Sequence, residues 1–473
     1  LVNASKEPAY ELERLAQLRQ ARRNWLMVQG DQFLSPDFVN NGNGEQIVDL
    51  INIDGANGDT QTGAATSPVL ALNVLGGDCY KYVAVMGQSA PHVKAVADDP
   101  TDNEQLRSSK DADAVLREAW TKLLVDQCWR VIAFHQYTTG PVFIHTPFII
   151  DRQKYGETVE PKIELSDDGM GGQVPQEIGA IPYPNGDVEF FVCSVLEVTV
   201  PYGAKTLESC GSLDYEYMES KYRLLSAFSE QLDKYRTSAP PDDDYDATAT
   251  EASTSRESVS NPSGTGRPRN SSQWRYRQLF RRPWMYEAIT EKEARETLQR
   301  QYPDGLYIAK VGSLFMTLDS RKMDDEWVIV KTGRGEKIIE RPICSDSVAI
   351  QRALNDLGNL ALETVLRSIA KTIVDQMLLD RKSVASNDAV PAEMIFTTMP
   401  LGSDISKMIA QIPPARVSDQ LRPLWELLRM IMQDISGIRP ELSGGGQPTQ
   451  TFREAQQRKQ QALAQLAPQA QAM

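Results

Sequence analysis

Between residues 346 and 381, apolar side chains recur at Ile350, Leu354, Leu357, Val365, Ile369, Ile373 and Met377. Those steps are multiples of a helical turn, and they predict one long amphipathic helix. At 1.5 Å per residue it is roughly a 50 Å rod. Gly358 lies within it and costs about 1 kcal/mol of helix propensity, which permits a bend or a close approach. Shorter stretches repeat the pattern. Residues 6–29 carry Leu12, Leu15, Ala16, Leu18 and Trp25 with arginines between them. Residues 103–136 carry Leu106, Val115, Leu116, Ala119, Trp120, Leu123, Leu124 and Ile132. Residues 418–436 place Leu421, Leu424, Leu428, Ile431 and Ile435 on one face.

Other parts of the chain have strand character. The run Ile47 to Ile53 is a short apolar stretch among Gly, Asn, Asp and Thr. Residues 140–202 are rich in Val, Ile, Phe and Thr and predict strands on either side of a turn-rich segment, 165–186. Residues 213–236 return to helical composition. A small mixed region, 274–344, holds the strand signals GLYIAKVGSLFMTL and EWVIVKTGRGEKIIE, the first entered through a Tyr302-Pro303-Asp304-Gly305 turn. Residues 383–416 hold the short strand AEMIFTTM and a Pro/Gly-punctuated stretch. A Gln-rich helix follows a Gly-rich turn at the C-terminal end. The expected fold class is α+β. With 473 residues, 41% of them hydrophobic, there is ample material for a core and for about two to four domains. Residues 237–273 interrupt this material: Ser, Thr, Pro, Gly and Asp dominate, and such a segment buries too little apolar surface to offset its ordering entropy.

The motifs of catalysis fall short of their spacing. The three histidines, His92, His135 and His145, form no H-E-x-x-H or H-x-H arrangement. No G-x-S-x-G elbow occurs. Gly333 to Lys337 (GRGEK) lacks the loop length and the following Ser/Thr of a phosphate-cradling loop, and a hairpin turn between two strand-like runs is the simpler account. Asp54, Asn57 and Asp59 lack the spacing and terminal Glu of a calcium loop. Five cysteines with no C-x-x-C pair predict neither a disulfide framework nor a zinc site. No run of 18 apolar residues predicts a membrane span, and the first residues have neither the basic nor the apolar region of a signal peptide. No cofactor is expected, and the chain reads as a non-enzyme.

Charge adds two observations. The formal net charge is −14, so contact with nucleic acid is local or weak; the same balance is ordinary for a soluble bacterial protein. Against it stands the segment 267–284, with Arg267, Arg269, Arg275, Arg277, Arg281 and Arg282 among Trp274, Tyr276, Phe280 and Trp284. Arginine with aromatics suits phosphate or an acidic protein partner. The other reading is an amphipathic edge with core aromatics and solvated arginines.

The order of these elements, together with two local motifs, resembles the portal (head-to-tail connector) proteins of podovirus-like tailed bacteriophages. One motif is ISGIRPELSGGGQPTQTFREAQQ, in which Gly437, Gly444, Gly445, Gly446, Thr449, Thr451 and Glu454 match a helix end, a Gly-rich loop and a polar helix start. The other is YPDGLYIAKVG followed by SDSVAIQRALNDLGNLALETVLRSI, which looks like a clip strand followed by a descending stem helix. The resemblance spans most of 210–470. It implies a helical/β wing at 1–212, a first stem helix at 213–236, and a small α/β clip at 237–345 with 237–273 as an insertion. A second stem helix at 346–381, a tunnel loop and its supporting helix at 382–436, and the start of a helical crown at 437–473 would follow.

The function so implied is structural: a ring, a dodecamer in the family, at one capsid vertex of the virion, assembled in the host cytoplasm. Double-stranded DNA would pass through it during packaging and ejection. Its partners would be the terminase large subunit, then the head-to-tail adaptor, and the major capsid or scaffolding protein, with no membrane. An acidic ring would keep the duplex centred without gripping it. Arg381, Lys382, Lys407 and Arg416 are the cations in or beside the tunnel loop, either brief phosphate contacts or ordinary surface charges. Arg275, Arg277, Arg281, Arg282 and Trp284 are the docking candidates for terminase or adaptor. The alternative is another head–tail adaptor or a minor capsid structural protein.

Overall fold

The computed structural model describes residues 8–30, 32, 34–40, 45–49, 71–87, 94–99, 101–150, 152–167, 173–201, 203–236, 273–367, 371–375, 394–397, 409–412, 420–436, 460 and 463–464. Helix and sheet are mixed along the chain. The longer helices are α1 (Pro8–Gln29), α2 (Val74–Gly87), α3 (Asn103–Lys122), α4 (Val125–Thr138), α5 (Lys292–Gln301), α6 (Ser347–Arg367) and α7 (Leu421–Ser436). The strands begin with β1 (Leu34–Asn40), β2 (Glu45–Asp49), β3 (Val142–His145), β4 (Phe148–Ile150), β5 (Glu157–Asp167), β6 (Gln173–Pro184), β7 (Gly186–Val188), β8 (Phe191–Ser194) and β9 (Val198–Thr199). They continue with β10 (Ser212–Ser220), β11 (Gln273–Arg281), β12 (Leu306–Val311), β13 (Leu314–Ser320), β14 (Trp327–Val330), β15 (Lys371–Asp375), β16 (Met394–Thr397) and β17 (Ile409–Ile412).

Helices from both ends of the chain share one core. Met27 and Val28 of α1, Leu75, Cys79, Tyr82 and Met86 of α2, Ala133 and Tyr137 of α4, Leu354 of α6 and Met432 of α7 are buried together. Fully burying side chains of this size contributes about 1.5–3 kcal/mol each. A buried amide ladder fixes the register of these helices. Asn73 caps α2 by accepting from the Gly76 N–H at 2.9 Å. Its Nδ2 donates to the Val28 carbonyl at 2.9 Å. Gln351 of α6 accepts from the Leu75 N–H at 2.9 Å and donates to Gln32 Oε1 at 3.0 Å.

Helix α4 also faces the strands. Trp129 and Ile132 pack with Val142, Ile144 and Val330, on a three-stranded sheet ordered β14–β3–β8. Tyr82 donates to Gln136 Oε1 at 2.8 Å, and Gln136 donates to the Lys331 carbonyl at 2.6 Å, so α2, α4 and the end of β14 are tied in sequence. Beyond this sheet lies a five-stranded antiparallel one, ordered β13–β12–β11–β10–β9.

Several expectations are corrected. The 103–136 helix is two helices, broken at Leu124, whose φ of 51° is left-handed. The break separates α3, which has no buried residue, from α4, which has eight. The turn-rich 165–186 segment is mostly strand: β5 and β6 pair antiparallel from Glu157↔Pro184 to Asp167↔Gln173. Residues 213–236 do not form one helix. Strand β10 occupies the first part, and only Lys221–Ala227 and Ser229–Leu232 are short helices. Leu213, Tyr215 and Tyr217 alternate with Asp214 and Glu216, a period of two that fits a half-buried strand.

The rod at 346–381 is shortened. Helix α6 has 21 residues, about 32 Å. Lys371–Asp375 is strand β15, parallel to β16 and antiparallel to β17. Thr372, Ile373 and Val374 are consecutive β-branched residues, which favour extended backbone. The strand expected in AEMIFTTM is β16; β17 lies in the stretch read as punctuated loop. The GRGEK turn follows β14, but its second arm is not a strand. The Glu340 carboxylate closes it by accepting from the Thr332 N–H at 2.9 Å and the Arg334 N–H at 3.2 Å.

Candidate functional site

The arginine-and-aromatic segment forms β11, whose alternation assigns its side chains to opposite faces. Trp274, Tyr276 and Phe280 join Leu213, Tyr215, Tyr307, Ala309 and Val311 in the core on one face. Arg275, Arg277 and Arg281 take the other, beside Asp214 and Glu216 of β10. Arg277 lies opposite Glu216, with Nε 3.1 Å from Oε2. Arg275 reaches the same carboxylate diagonally at 3.5 Å. Arg281 reaches Asp214 at 2.5 Å. Further along this face, Leu279, Leu306, Ile308 and Tyr286 are buried under Leu298 of α5 and Tyr302.

This geometry corrects the docking assignment. Arg277 and Arg281 are 3% and 2% exposed and have no free surface to offer a partner. The solvated-arginine alternative is wrong for the same reason, and β11 is an inner strand, not an edge. Arg282 is also a structural clamp. It grips Asp324 with both terminal nitrogens, at 2.7 and 2.5 Å, and donates to the Cys210 and Leu207 carbonyls at 2.9 and 2.8 Å. Burial pushes the Cys210 thiol up to about 12, so it stays protonated beside this clamp. Only Trp284 of the five docking candidates is exposed, at 57%. The tunnel-loop candidates Arg381, Lys382, Lys407 and Arg416 lie outside the described residues, as do Gly437, Gly444, Gly445, Gly446, Thr449, Thr451 and Glu454.

Of the histidines, His145 has the most constrained surroundings. It stacks on Trp327 at 4.2 Å with an 11° interplanar angle, and Tyr215 and Phe280 meet it edge-on. Its Nε2 is 3.2 Å from Glu326 Oε2, and Glu326 Oε1 accepts from Arg321 at 3.1 Å. Burial lowers its pKa, with Glu326 acting against the shift. Among the described residues, no group of three or more His, Cys, Asp or Glu side chains is disposed to hold a metal ion. No helix among them is long and apolar enough to cross a membrane.

The surface that stands out is on α7. Trp425, Leu428 and Met432 pack into the helical core. Leu424, Leu427, Met430, Ile431 and Ile435 are exposed, between 38% and 57%. At 100° per residue the apolar arc covers roughly two thirds of the helix, and the core covers about half of that arc. The sequence reading expected one packed face through Leu424, Leu428, Ile431 and Ile435. The packed face is instead the Trp425–Leu428–Met432 row, and three of those four expected residues face outward. Leu427 and Met430 were missed, although apolar residues on nearly all sides of a short helix signal a need for two partners.

No protein-family model matches the chain, and no curated protein matches it in sequence.

Proposed function

We propose that this chain is a non-enzymatic structural subunit that assembles with copies of itself, and that the assembly is the portal ring of a tailed phage. The observation that carries the first half is the apolar face of α7, five large side chains with no cover among the described residues. An apolar patch of that kind on a helix already anchored by its opposite row favours a protein interface. In a ring each copy would bury this face against its neighbour through a heterologous contact that closes by rotation.

The second half rests on the resemblance in element order and in the Gly-rich C-terminal motif. It is consistent with the acidic balance: a conduit for double-stranded DNA must enclose the duplex without accumulating phosphate contacts. On this reading terminase and then the head-to-tail adaptor dock on the ring, and the capsid or scaffolding protein holds its periphery in the virion. Mass photometry and negative-stain imaging of the purified chain test it. A ring of about twelve copies with a central channel is expected. A species that stays monomeric at micromolar concentration would sink the reading.

One observation favours the alternative of another head–tail or minor capsid component. Helix α6 has 21 residues and gives way to strand β15, so the described residues contain no 50 Å rod. A closed assembly without a channel wide enough for a duplex would select that alternative.

A further inference from the structure

Where α1 meets the segment leading into α6 there is an open basin of about 560 Å³ lined by Arg19, Gln20, Arg23, Arg341, Ser345 and Asp346. Its charge runs against the rest of the chain, which carries 14 more acidic than basic residues. Despite that excess, no carboxylate among the described residues pairs with Arg23 or Arg341. The one acidic side chain in the lining, Asp346, is already engaged by Arg334 Nη1 at 3.0 Å.

Three details make the basin an anion site and not a chance gathering of arginines. Arg23 Nε is buried and has no hydrogen-bond partner, a cost that persists until an acceptor arrives. Arg352 of α6 is close enough that its charge adds to burial in lowering the pKa of Arg23, so these like charges repel when no anion lies between them. Ser345 Oγ accepts from Gln20 Nε2 at 2.9 Å and from Asn24 Nδ2 at 3.2 Å. With both acceptor positions filled, its own O–H is left to donate.

We propose that this basin binds a phosphate group, held by the guanidinium groups of Arg23 and Arg341 with the Ser345 hydroxyl as a further donor. Phosphate fits better than a carboxylate because it brings up to two charges and three or more acceptor oxygens to several planar forks. The open mouth admits a phosphate carried on a larger molecule. The inference concerns a single chain and is independent of ring assembly.

Calorimetric titration of the full chain with inorganic phosphate at low ionic strength tests it. Saturable binding is expected, weakened about tenfold by Arg341→Gln, the loss of one charge-assisted contact. Arg341 is exposed, so its variant should melt with the wild type; Arg23→Gln is the second variant. Displacement of phosphate by a short DNA duplex would assign the site to a nucleic-acid backbone. Retention of phosphate in its presence would assign it to a free phosphate or a phosphate monoester. Absence of saturable binding by the wild type, or full affinity in a folded Arg341→Gln protein, would overturn the proposal.

Discussion

Arg281 sets Nη1 2.5 Å from Oδ1 of Asp214, with the two side chains 0% and 6% exposed. Arg281 stands opposite Ser212 in the β10–β11 register and reaches Asp214 diagonally, two residues along the same face. Removing one partner from a buried pair leaves a desolvated charge, which costs about 3–5 kcal/mol. Asp214→Ala should therefore lower stability by an amount in that range in urea unfolding. Replacing both residues with apolar ones of similar volume should cost markedly less than the single change. A double variant as unstable as Asp214→Ala would show that Arg281 matters through its other contacts, such as its bond to the Phe280 carbonyl.

His145 predicts a pH dependence. Burial lowers its folded-state pKa below the ordinary value of about 6.5. The unfolded chain then binds the proton more readily than the folded one, so stability rises with pH across that window. It is fully present above about 6.5 and declines as pH falls toward the folded value. The groups facing the ring that can modify this are Glu326, which holds Nε2, and Arg321 behind it. His145→Phe should flatten the dependence between about pH 6.5 and 5. An unchanged slope in chemical denaturation at successive pH values would place the dependence elsewhere.

Placing a charge on the open face of α7 should separate assembly from folding. Leu427 and Ile431 are 50% and 38% exposed. Leu427→Lys and Ile431→Glu should leave the melting temperature of the monomer within a few degrees of wild type, because exposed substitutions typically change stability by about 0.5 kcal/mol or less. Sedimentation velocity should show loss of the oligomer. Met432→Lys serves as the contrast, since Met432 is 0% exposed and its loss should unfold the helical core.

The kink at Leu124 is a conformational test. A left-handed residue other than glycine costs about 1–2 kcal/mol, and Leu124 is 54% exposed, so it has little packing to lose. Leu124→Gly should be neutral or mildly stabilising, and Leu124→Val should be destabilising by about 1 kcal/mol or more. Equal melting temperatures for the two variants would indicate that the α3–α4 junction is a straight helix in solution.

Local pattern was readable where one face of an element repeats without competition. Helices α1 and α7, strands β3 and β12 to β14, and the strand at 394–397 follow from spacing and β-branched content. Reading failed where two periods overlap. Tyr215, Tyr217, Leu224 and Leu225 satisfy a helical count, but the first two belong to the alternation of β10. Ile369, Ile373 and Met377 continue the spacing of α6 on paper, yet Thr372, Ile373 and Val374 pair as a strand.

The sequence by itself determined the fold class, the presence of a large core, the acidic balance and the alternation that makes β11 a strand with aromatics on one side. Those are properties of composition and nearest neighbours along the chain. Only the tertiary structure decided what the arginines of β11 do. Their role depends on β10, whose carboxylates arrive from more than 50 residues away in sequence to pair with Arg277 and Arg281 in the interior. It also decided where unsatisfied positive charge remains, at Arg23 and Arg341, which lie on segments that meet only in the folded chain. A local pattern can specify which side of an element is apolar or charged, but whether that side is covered is a long-range property. The docking arginines read from sequence proved to be interior clamps, and the open surfaces proved to be α7 and the basin beside α1.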